Sequence, residues 1–235
     1  MAGTTDVESA SVDGSSEQRA ACRARPLCPL VFVPSDAAGW NAGYLPALDA
    51  ALAAALSWWR TQLGVRPFDP EPAIAIGGRQ PAAAYARNTR ARIRSELAAY
   101  FPDLTVSPPA SVPAVPLYVV YATLSNRPYR CSGDTIRASA TAGGVPQVIV
   151  VQSSGSLDAF ALGRNPLDPA TGSREAQTGA LAHELGHALG LPHPTEPADR
   201  ASSVMWSWWR FPGCCLSAAE VRQARAAITT RGSRE

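Results

Sequence analysis

Lysine is missing from this 235-residue chain, in which all 21 basic residues are arginine. Charged residues make up only 17% of the sequence, and the formal net charge is +2. No charge excess therefore favours nucleic acid or an anionic membrane as a partner. The chain also lacks an apolar run of the roughly 20 residues that a membrane span requires. Its apolar content of 46% is suited to one large globular domain.

The N-terminal segment lacks aromatic residues and is rich in Ser, Thr and acidic residues, so it cannot bury a core. We expect a disordered tail or linker over residues 1–25 and one domain over residues 26–235. The segment also lacks the basic start and apolar stretch of a signal peptide, so either export is absent or the signal has been removed from this version of the chain. Five cysteines fit an oxidising compartment better than the cytosol. We therefore expect a secreted or extracytoplasmic protein.

Strands that alternate with long helices predict an α/β fold. A four-arginine stretch within the helix predicted at residues 82–100 is interpreted as a solvated face, with nucleic-acid binding as the weaker alternative. Proline-rich residues 105–116 are predicted to be a loop, and residues 132–146 a loose edge strand or loop. The predicted strands are 30–33, 73–76, 117–124 and 148–151, and the predicted helices are 44–63, 82–100, 173–189 and 217–229.

Histidine is scarce, and its three copies fall within one eleven-residue run, HELGHALGLPH, from His183 to His193. On a helix, His183 and His187 project from the same face, where two imidazoles can bind one Zn²⁺. Glu184 points about 100° away from His183 and can reach a zinc-bound water without ligating the metal. Gly190 allows a left-handed exit from the helix, after which the chain presents His193 as a third ligand. Three protein ligands leave one tetrahedral position for water, as in catalytic zinc sites.

A simpler interpretation is a helix that carries two histidines and a glutamate by chance. Five specified residues at fixed spacing, three of them the scarce histidine, should arise by chance in on the order of one in 10⁵ chains of this length. The full run therefore favours zinc far more strongly than a bare HExxH would.

The run resembles the long signature of the metzincin clan of zinc endopeptidases, HExxHxxGxxH followed by a methionine turn. The matching turn is the segment SVMW, in which Met205 lies twelve residues beyond His193. The resemblance implies that Met205 forms an apolar floor beneath the histidines; the alternative is an ordinary core methionine. It also implies a twisted, mostly parallel sheet with an antiparallel edge strand over the cleft, a long zinc helix and a closing C-terminal helix.

The resemblance does not identify a subfamily within the metzincin clan. Pro194, after the third histidine, is similar to the serralysin pattern, but the glycine-rich calcium repeats of serralysins are missing here. The short closing segment is more similar to matrixins, although no matrixin propeptide motif is visible. Many metzincins have a tyrosine two residues after the methionine, where this chain has Ser207. The chain therefore departs from the family's pattern at the position that supplies this transition-state hydrogen bond.

The resemblance implies a zinc-dependent endopeptidase in which a zinc-activated water attacks the peptide bond and Glu184 acts as general base and then acid. An edge strand would hold an extended protein or peptide substrate by backbone pairing. The first alternative is a catalytically silent, zinc-containing protein that binds peptides, which would tend to lose Glu184. The second is a cytosolic peptidase or toxin-like protein, which would lack disulfides. We expect a monomer that has no nucleic-acid partner and no membrane span.

The cysteines show no CxxC metal spacing, so one or two disulfides and a leftover thiol are expected. Adjacent Cys214 and Cys215 cannot easily bond to each other, so one of them is predicted to pair with Cys131. Cys22 and Cys28 either close a small loop, which we favour, or leave one thiol to cover the zinc as a latency ligand.

The segment after the turn is unusually aromatic. It either forms the wall of a specificity pocket or packs as core under the last helix. Its aromatic residues are Trp206, Trp208, Trp209 and Phe211.

Overall fold

A computed structural model of the chain describes residues 13–37, 39–86, 89–104, 117–124, 147–152, 154–163 and 173–232. The strands are β1 Leu27–Val33, β2 Ile74–Gly77, β3 Leu117–Ala122 and β4 Gln147–Gln152. The α-helices are α1 Ser16–Arg23, α2 Tyr44–Leu63, α3 Thr89–Tyr100, α4 Ser154–Leu162, α5 Arg174–Ala188, α6 Pro197–Ser202, α7 Val204–Ser207 and α8 Ala218–Gly232. Short 3-10 helices cover Ala82–Ala86, Pro102–Leu104 and Trp208–Arg210.

The four strands form one sheet in the order β2-β1-β3-β4, and each described pairing is parallel. β1 and β3 are buried along their whole length. Continuous apolar runs such as LVFV and LYVVY are typical of parallel strands, because helices cover both faces of such a sheet. The predicted α/β fold class is confirmed.

Alternate side chains of the strands enter two separate cores, because successive residues of a strand face opposite sides of the sheet. Val31 and Val119 belong to a core that also contains residues of α2, α4, α5 and α8. Phe32 and Val120 belong to a second core with residues of α3 and the buried Cys22 of α1. The sheet therefore separates two helical layers, and the helix that carries the histidine run lies in the first.

Several elements begin and end close to the predicted positions. The predicted helix 44–63 matches α2, which ends at Gly64 in a left-handed conformation with φ 72°. The four predicted strands match β1 to β4 to within a few residues. The helix predicted over 82–100 is wrong at its start, where a 3-10 helix takes the place of α-helix, while α3 covers Thr89–Tyr100.

Helix α1 lies inside the segment predicted to be a tail, so residues 16–23 are helical where we expected no structure. Ser15 accepts a hydrogen bond from the Gln18 amide and the Gln18 side chain accepts one from the Ser15 amide, which forms a capping box. A disulfide joins Cys22 to Cys28 and ties α1 to β1. The small loop favoured for these two cysteines is confirmed, whereas the domain boundary at residues 25/26 stays a prediction.

Several predicted features involve residues that the structure does not describe. The predicted loop 105–116 and the possible edge strand 132–146 lie outside the described residues, so the implied antiparallel edge strand stays a prediction. Cys214 and Cys215 have no disulfide to a described residue. Their predicted partner Cys131 lies outside the described residues, and that pairing also stays a prediction. None of the helices in the described part of the chain has the length and hydropathy that a bilayer crossing requires.

Candidate metal centre

Helix α5 carries the first two histidines and is buried almost all round. The Ser173 side chain accepts a hydrogen bond from the Ala176 amide (3.1 Å) and caps the first turn, in which Glu175 complements the helix dipole. Every residue from Ala176 to Gly186 is buried. On one side the helix packs against α2 and α4, and on the other against α7 and the 3-10 helix Trp208–Arg210. The site is therefore built on a rigid, enclosed element.

The helix ends in a Schellman turn at the glycine of the motif. Gly190 has φ 82°, in the left-handed region, and its amide donates to the carbonyl of His187. The Leu191 amide donates to the carbonyl of Gly186, which completes the two hydrogen bonds of this motif. The predicted left-handed exit at Gly190 is confirmed, and it turns the chain back toward the histidine face.

The three histidines converge on one point. The Nε2–Nε2 distances are 3.1 Å between His183 and His187, 3.1 Å between His187 and His193, and 3.3 Å between His183 and His193. Burial decreases along the set, since His183 is buried, His187 is half-buried and His193 is exposed. The site is therefore open to solvent on the His193 side.

Hydrogen bonds to backbone carbonyls fix the orientation of the two helical imidazoles. His183 Nδ1 lies 3.0 Å from the carbonyl oxygen of Val204, and His187 Nδ1 lies 2.8 Å from that of Leu191. Because a carbonyl oxygen only accepts, each Nδ1 carries the hydrogen and each Nε2 keeps its lone pair. Burial, together with the neighbouring imidazoles, lowers the pKa of His183 to about 3, which keeps that imidazole neutral.

This arrangement fits a tetrahedral cation. Neither Nε2 of the helical pair carries a hydrogen, so their close approach cannot be a hydrogen bond between the rings. Three nitrogens at roughly 2.0–2.1 Å from one Zn²⁺ would lie about 3.3 Å apart, close to the observed spacing. Ligating histidines usually donate their other ring N–H to a carbonyl or carboxylate, as His183 and His187 do. The three residues could therefore hold a zinc ion.

Met205 packs against helix α5 beside the second histidine. It is fully buried, and its side chain is so close to Gly186 that a Cβ at Gly186 would overlap the methionine sulfur. Gly186 precedes His187 in the helix, and Val204, which precedes Met205, supplies the carbonyl that His183 binds. The apolar floor that the resemblance implies for Met205 stays a prediction.

Glu184 is buried on α5 beside His183, with 3% of its surface exposed. A buried carboxylate is retained in a fold only where its charge or its proton has a use or a partner, because removal from water is costly. The role of Glu184 as general base stays a prediction.

A buried carboxylate on α8 holds the methionine turn and was missed by the sequence reasoning. Glu220 accepts a hydrogen bond from the Ser203 hydroxyl (2.7 Å) and one from the Ser217 amide (2.7 Å). Ser203 in turn accepts from the Met205 amide (3.0 Å). Glu220 lies three residues after the predicted cap Ser217, a capping spacing that could have indicated a local role but not the contact with Ser203.

The aromatic segment after the turn divides into two parts. Trp208 and Phe211 pack against the core, as the core alternative predicted for them. Trp206 and Trp209 are exposed over 41% and 47% of their surface. The Trp206 ring contacts His193, with ring centroids 5.9 Å apart and an interplanar angle of 88°. The segment therefore contributes one tryptophan to the edge of the histidine cluster.

Comparison with known proteins gives only distant similarities. No family model and no curated protein matches the chain. One similar solved structure is catalytically inactive OgpA from Akkermansia muciniphila in complex with an O-glycopeptide (glycodrosocin) substrate, with 17% identity and a TM-score of 0.49 over 85% of this chain. Another is archaemetzincin from Methanopyrus kandleri, with 16% identity and a TM-score of 0.39 over 87% of this chain and 97% of that chain.

The chain covers unequal shares of the two solved structures. The chain spans 59% of the length of the OgpA chain that it matches. Both TM-scores are below 0.5, so neither similarity assigns a function to this chain.

Proposed function

We propose that the protein is a zinc-dependent endopeptidase of metzincin type, with His183, His187 and His193 as metal ligands and Glu184 as general base and acid. The observation that supports this most directly is the convergence of three Nε2 atoms within 3.3 Å of one another. The carbonyls of Val204 and Leu191 orient two of these nitrogens so that their lone pairs point at a common centre.

In the proposed reaction, the metal ligands and Glu184 have different roles. A bound Zn²⁺ supplies Lewis-acid polarisation of the scissile carbonyl and acidifies water at the site. Glu184 removes a proton from the attacking water and delivers it to the leaving amine, so that one carboxylate acts twice. The buried, neutral His183 anchors the ligand set, and the exposed side at His193 leaves an approach for an extended peptide.

A catalytically silent, zinc-containing peptide-binding protein remains the alternative. It would use the same three histidines and would not depend on Glu184. A catalytic domain over residues 26–235, secretion and a monomeric state stay predictions that accompany the enzyme hypothesis.

The test compares Glu184→Gln with the unmodified protein. Metal content is measured after zinc supplementation and gel filtration, and internal cleavage of casein is measured with and without a chelator. We expect one zinc per chain in both proteins, because Glu184 is not a ligand. We expect cleavage to fall by about 10³–10⁴-fold in Glu184→Gln, since the amide cannot accept a proton.

His187→Ala is the matched control, because it removes a ligand and should abolish both metal binding and cleavage. Unmodified protein that is folded by circular dichroism and carries zinc, but cleaves neither casein nor a peptide library, would favour the silent binder. Less than half an equivalent of zinc in the unmodified protein would contradict the metal centre itself.

A further inference from the structure

His193 is held differently from the other two histidines. His183 and His187 lie on α5, whose backbone hydrogen bonds fix them. His193 is exposed and lies in the irregular segment 191–195 between α5 and α6. Its Nε2 nevertheless lies within 3.3 Å of the other two Nε2 atoms, so contacts that other elements make with this segment bear on the position of the imidazole.

Arg200, on α6, makes three contacts around that segment. Its Nε–H donates to the carbonyl of Pro194 (3.0 Å), the residue directly after His193. Its guanidinium lies over the Trp206 ring, 4.7 Å from the ring centroid. Its own carbonyl accepts a hydrogen bond from the Ser207 hydroxyl (2.6 Å). Arg200 therefore joins the segment that carries His193 to the methionine turn.

Trp206 contacts both His193 and Arg200. Its ring meets the His193 imidazole in a T-shaped contact, with centroids 5.9 Å apart, while it also lies under the Arg200 guanidinium. The backbone beside His193 and the imidazole itself are thus both in contact with the pair formed by Arg200 and Trp206. The neighbouring Met205 is fully buried, so the backbone that carries Trp206 is anchored in the core.

We propose that Arg200 and Trp206 are positioning residues that hold His193 in its ligating orientation, and that they set the rate at which the metal leaves. The proposal rests on the proposed metal centre but not on peptide hydrolysis. Outer contacts of this kind typically change metal affinity by about 10–100-fold when they are removed. Lysine cannot replace Arg200, because it lacks the planar guanidinium that stacks on an indole while donating from Nε.

The chain offers a matched control in Arg210. Arg210 is also exposed, and its guanidinium also binds α6 by donating to the Ala201 carbonyl (2.6 Å). That hydrogen bond reaches α6 rather than the segment that carries His193. Substitution of Arg210 removes the same charge and a similar anchor of α6. A difference between Arg200→Ala and Arg210→Ala therefore isolates the effect on His193.

The experiment measures Co²⁺ binding and release in the full chain. Affinity and the dissociation rate are measured with a chromophoric chelator, and the visible spectrum of the Co²⁺ protein reports the coordination geometry. We expect the dissociation rate to rise about tenfold or more in Arg200→Ala, Arg200→Lys and Trp206→Ala, with a weakened tetrahedral spectrum. Trp206→Phe should recover part of the loss, and Arg210→Ala should change the rate less than twofold.

The double variant Arg200→Ala/Trp206→Ala adds a second criterion. If the two residues act as one unit, its effect should be smaller than the product of the single effects. Circular dichroism checks that each variant is folded, which we expect because Arg200 is exposed and Trp206 is partly exposed. Equal dissociation rates for Arg200→Ala and Arg210→Ala would overturn the positioning role alone. An unmodified chain that binds no Co²⁺ would overturn the metal centre and this proposal together.

Discussion

Two glycines of α5 lie where a side chain has no room. A Cβ at Gly179 would overlap the carbonyl oxygen of Trp208, and one at Gly186 would overlap the sulfur of Met205. The two glycines are seven residues apart, so they lie on the same side of the helix. That side packs against α7 and the 3-10 helix that follows it. Glycine in this helix is therefore a packing requirement, although alanine is the better helix former.

Gly179→Ala and Gly186→Ala should have different effects. The Cβ added at residue 179 would meet the backbone of Trp208, whereas the one added at residue 186 would meet the flexible side chain of Met205. On an open helix surface, each substitution would stabilise the protein by about 1 kcal/mol. We expect Gly179→Ala to destabilise it by about 2 kcal/mol or more, because the Trp208 backbone must move. Gly186→Ala should cost less stability but weaken metal binding, because it displaces Met205. Urea denaturation and zinc titration measure the two effects, and stabilisation by Gly179→Ala would contradict the packing.

Substitutions of Met205 test whether its side chain forms an apolar floor beneath the histidines. Met205→Leu keeps a similar volume and should cost less than about 1.5 kcal/mol of stability. Met205→Ala leaves a cavity beside Gly186 and should cost about 2–5 kcal/mol and loosen the metal site. Thermal melts and zinc affinity measure both variants. If the two behave alike, Met205 does not act as a floor.

At the scale of elements, α8 holds both ends of the segment between His187 and Met205. Glu220 binds Ser203 at the start of α7, and the Gln223 side chain donates to the carbonyl of Gly190 (2.7 Å) at the end of α5. A helix close to the C-terminus thus determines the geometry of a site that lies mainly on another helix.

Glu220→Ala should leave the Ser203 hydroxyl and the Ser217 amide without their acceptor. An unsatisfied buried donor costs about 1–3 kcal/mol, so we expect a loss of that order and weaker zinc binding as the turn shifts. Glu220→Gln keeps one carbonyl oxygen and should have an intermediate effect. Gln223→Ala, at an exposed position on the same helix, is the control and should cost less than about 1 kcal/mol. Chemical denaturation measures the free energy of unfolding of the three variants. A larger loss of stability in Gln223→Ala than in Glu220→Ala would contradict the prediction.

Long periodic elements were predictable from the sequence, and short ones were not. Helix α2 has an apolar face repeated over five turns and ends at Gly64, so its limits follow from the pattern. Helices α6 and α7 have only six and four residues, too few for periodicity to be visible. The convergence of the three histidines was predictable, because two of them are one helical turn apart and the third follows the exit from the helix. The contacts of Arg200 and Glu220 join residues that are distant in sequence, and no local pattern encodes them.

At the scale of the whole molecule, a ligand that binds the folded chain more tightly than the unfolded chain stabilises the whole fold. Zinc at a hundred times its dissociation constant should add up to about 2.7 kcal/mol to the free energy of unfolding. For a domain of this size, that corresponds to a rise in Tm of roughly 5–10 °C. Differential scanning calorimetry with zinc and with a chelator measures the shift. His187→Ala should show no shift, and a shift of equal size in that variant would place the metal elsewhere.

All three imidazoles lie within eleven residues, so the proposed ligands are close together in the sequence as well as in the fold. Val204 and Glu220 reach the site only in the folded molecule, whereas the histidines stay tethered to one another after the sheet has come apart. Closing so short a loop costs little entropy, so an unfolded chain should keep a residual affinity for the metal. Heating should therefore abolish catalysis before it releases the ion. A preparation can be fully metallated and yet inactive, and metal content alone will overstate how much of it is native.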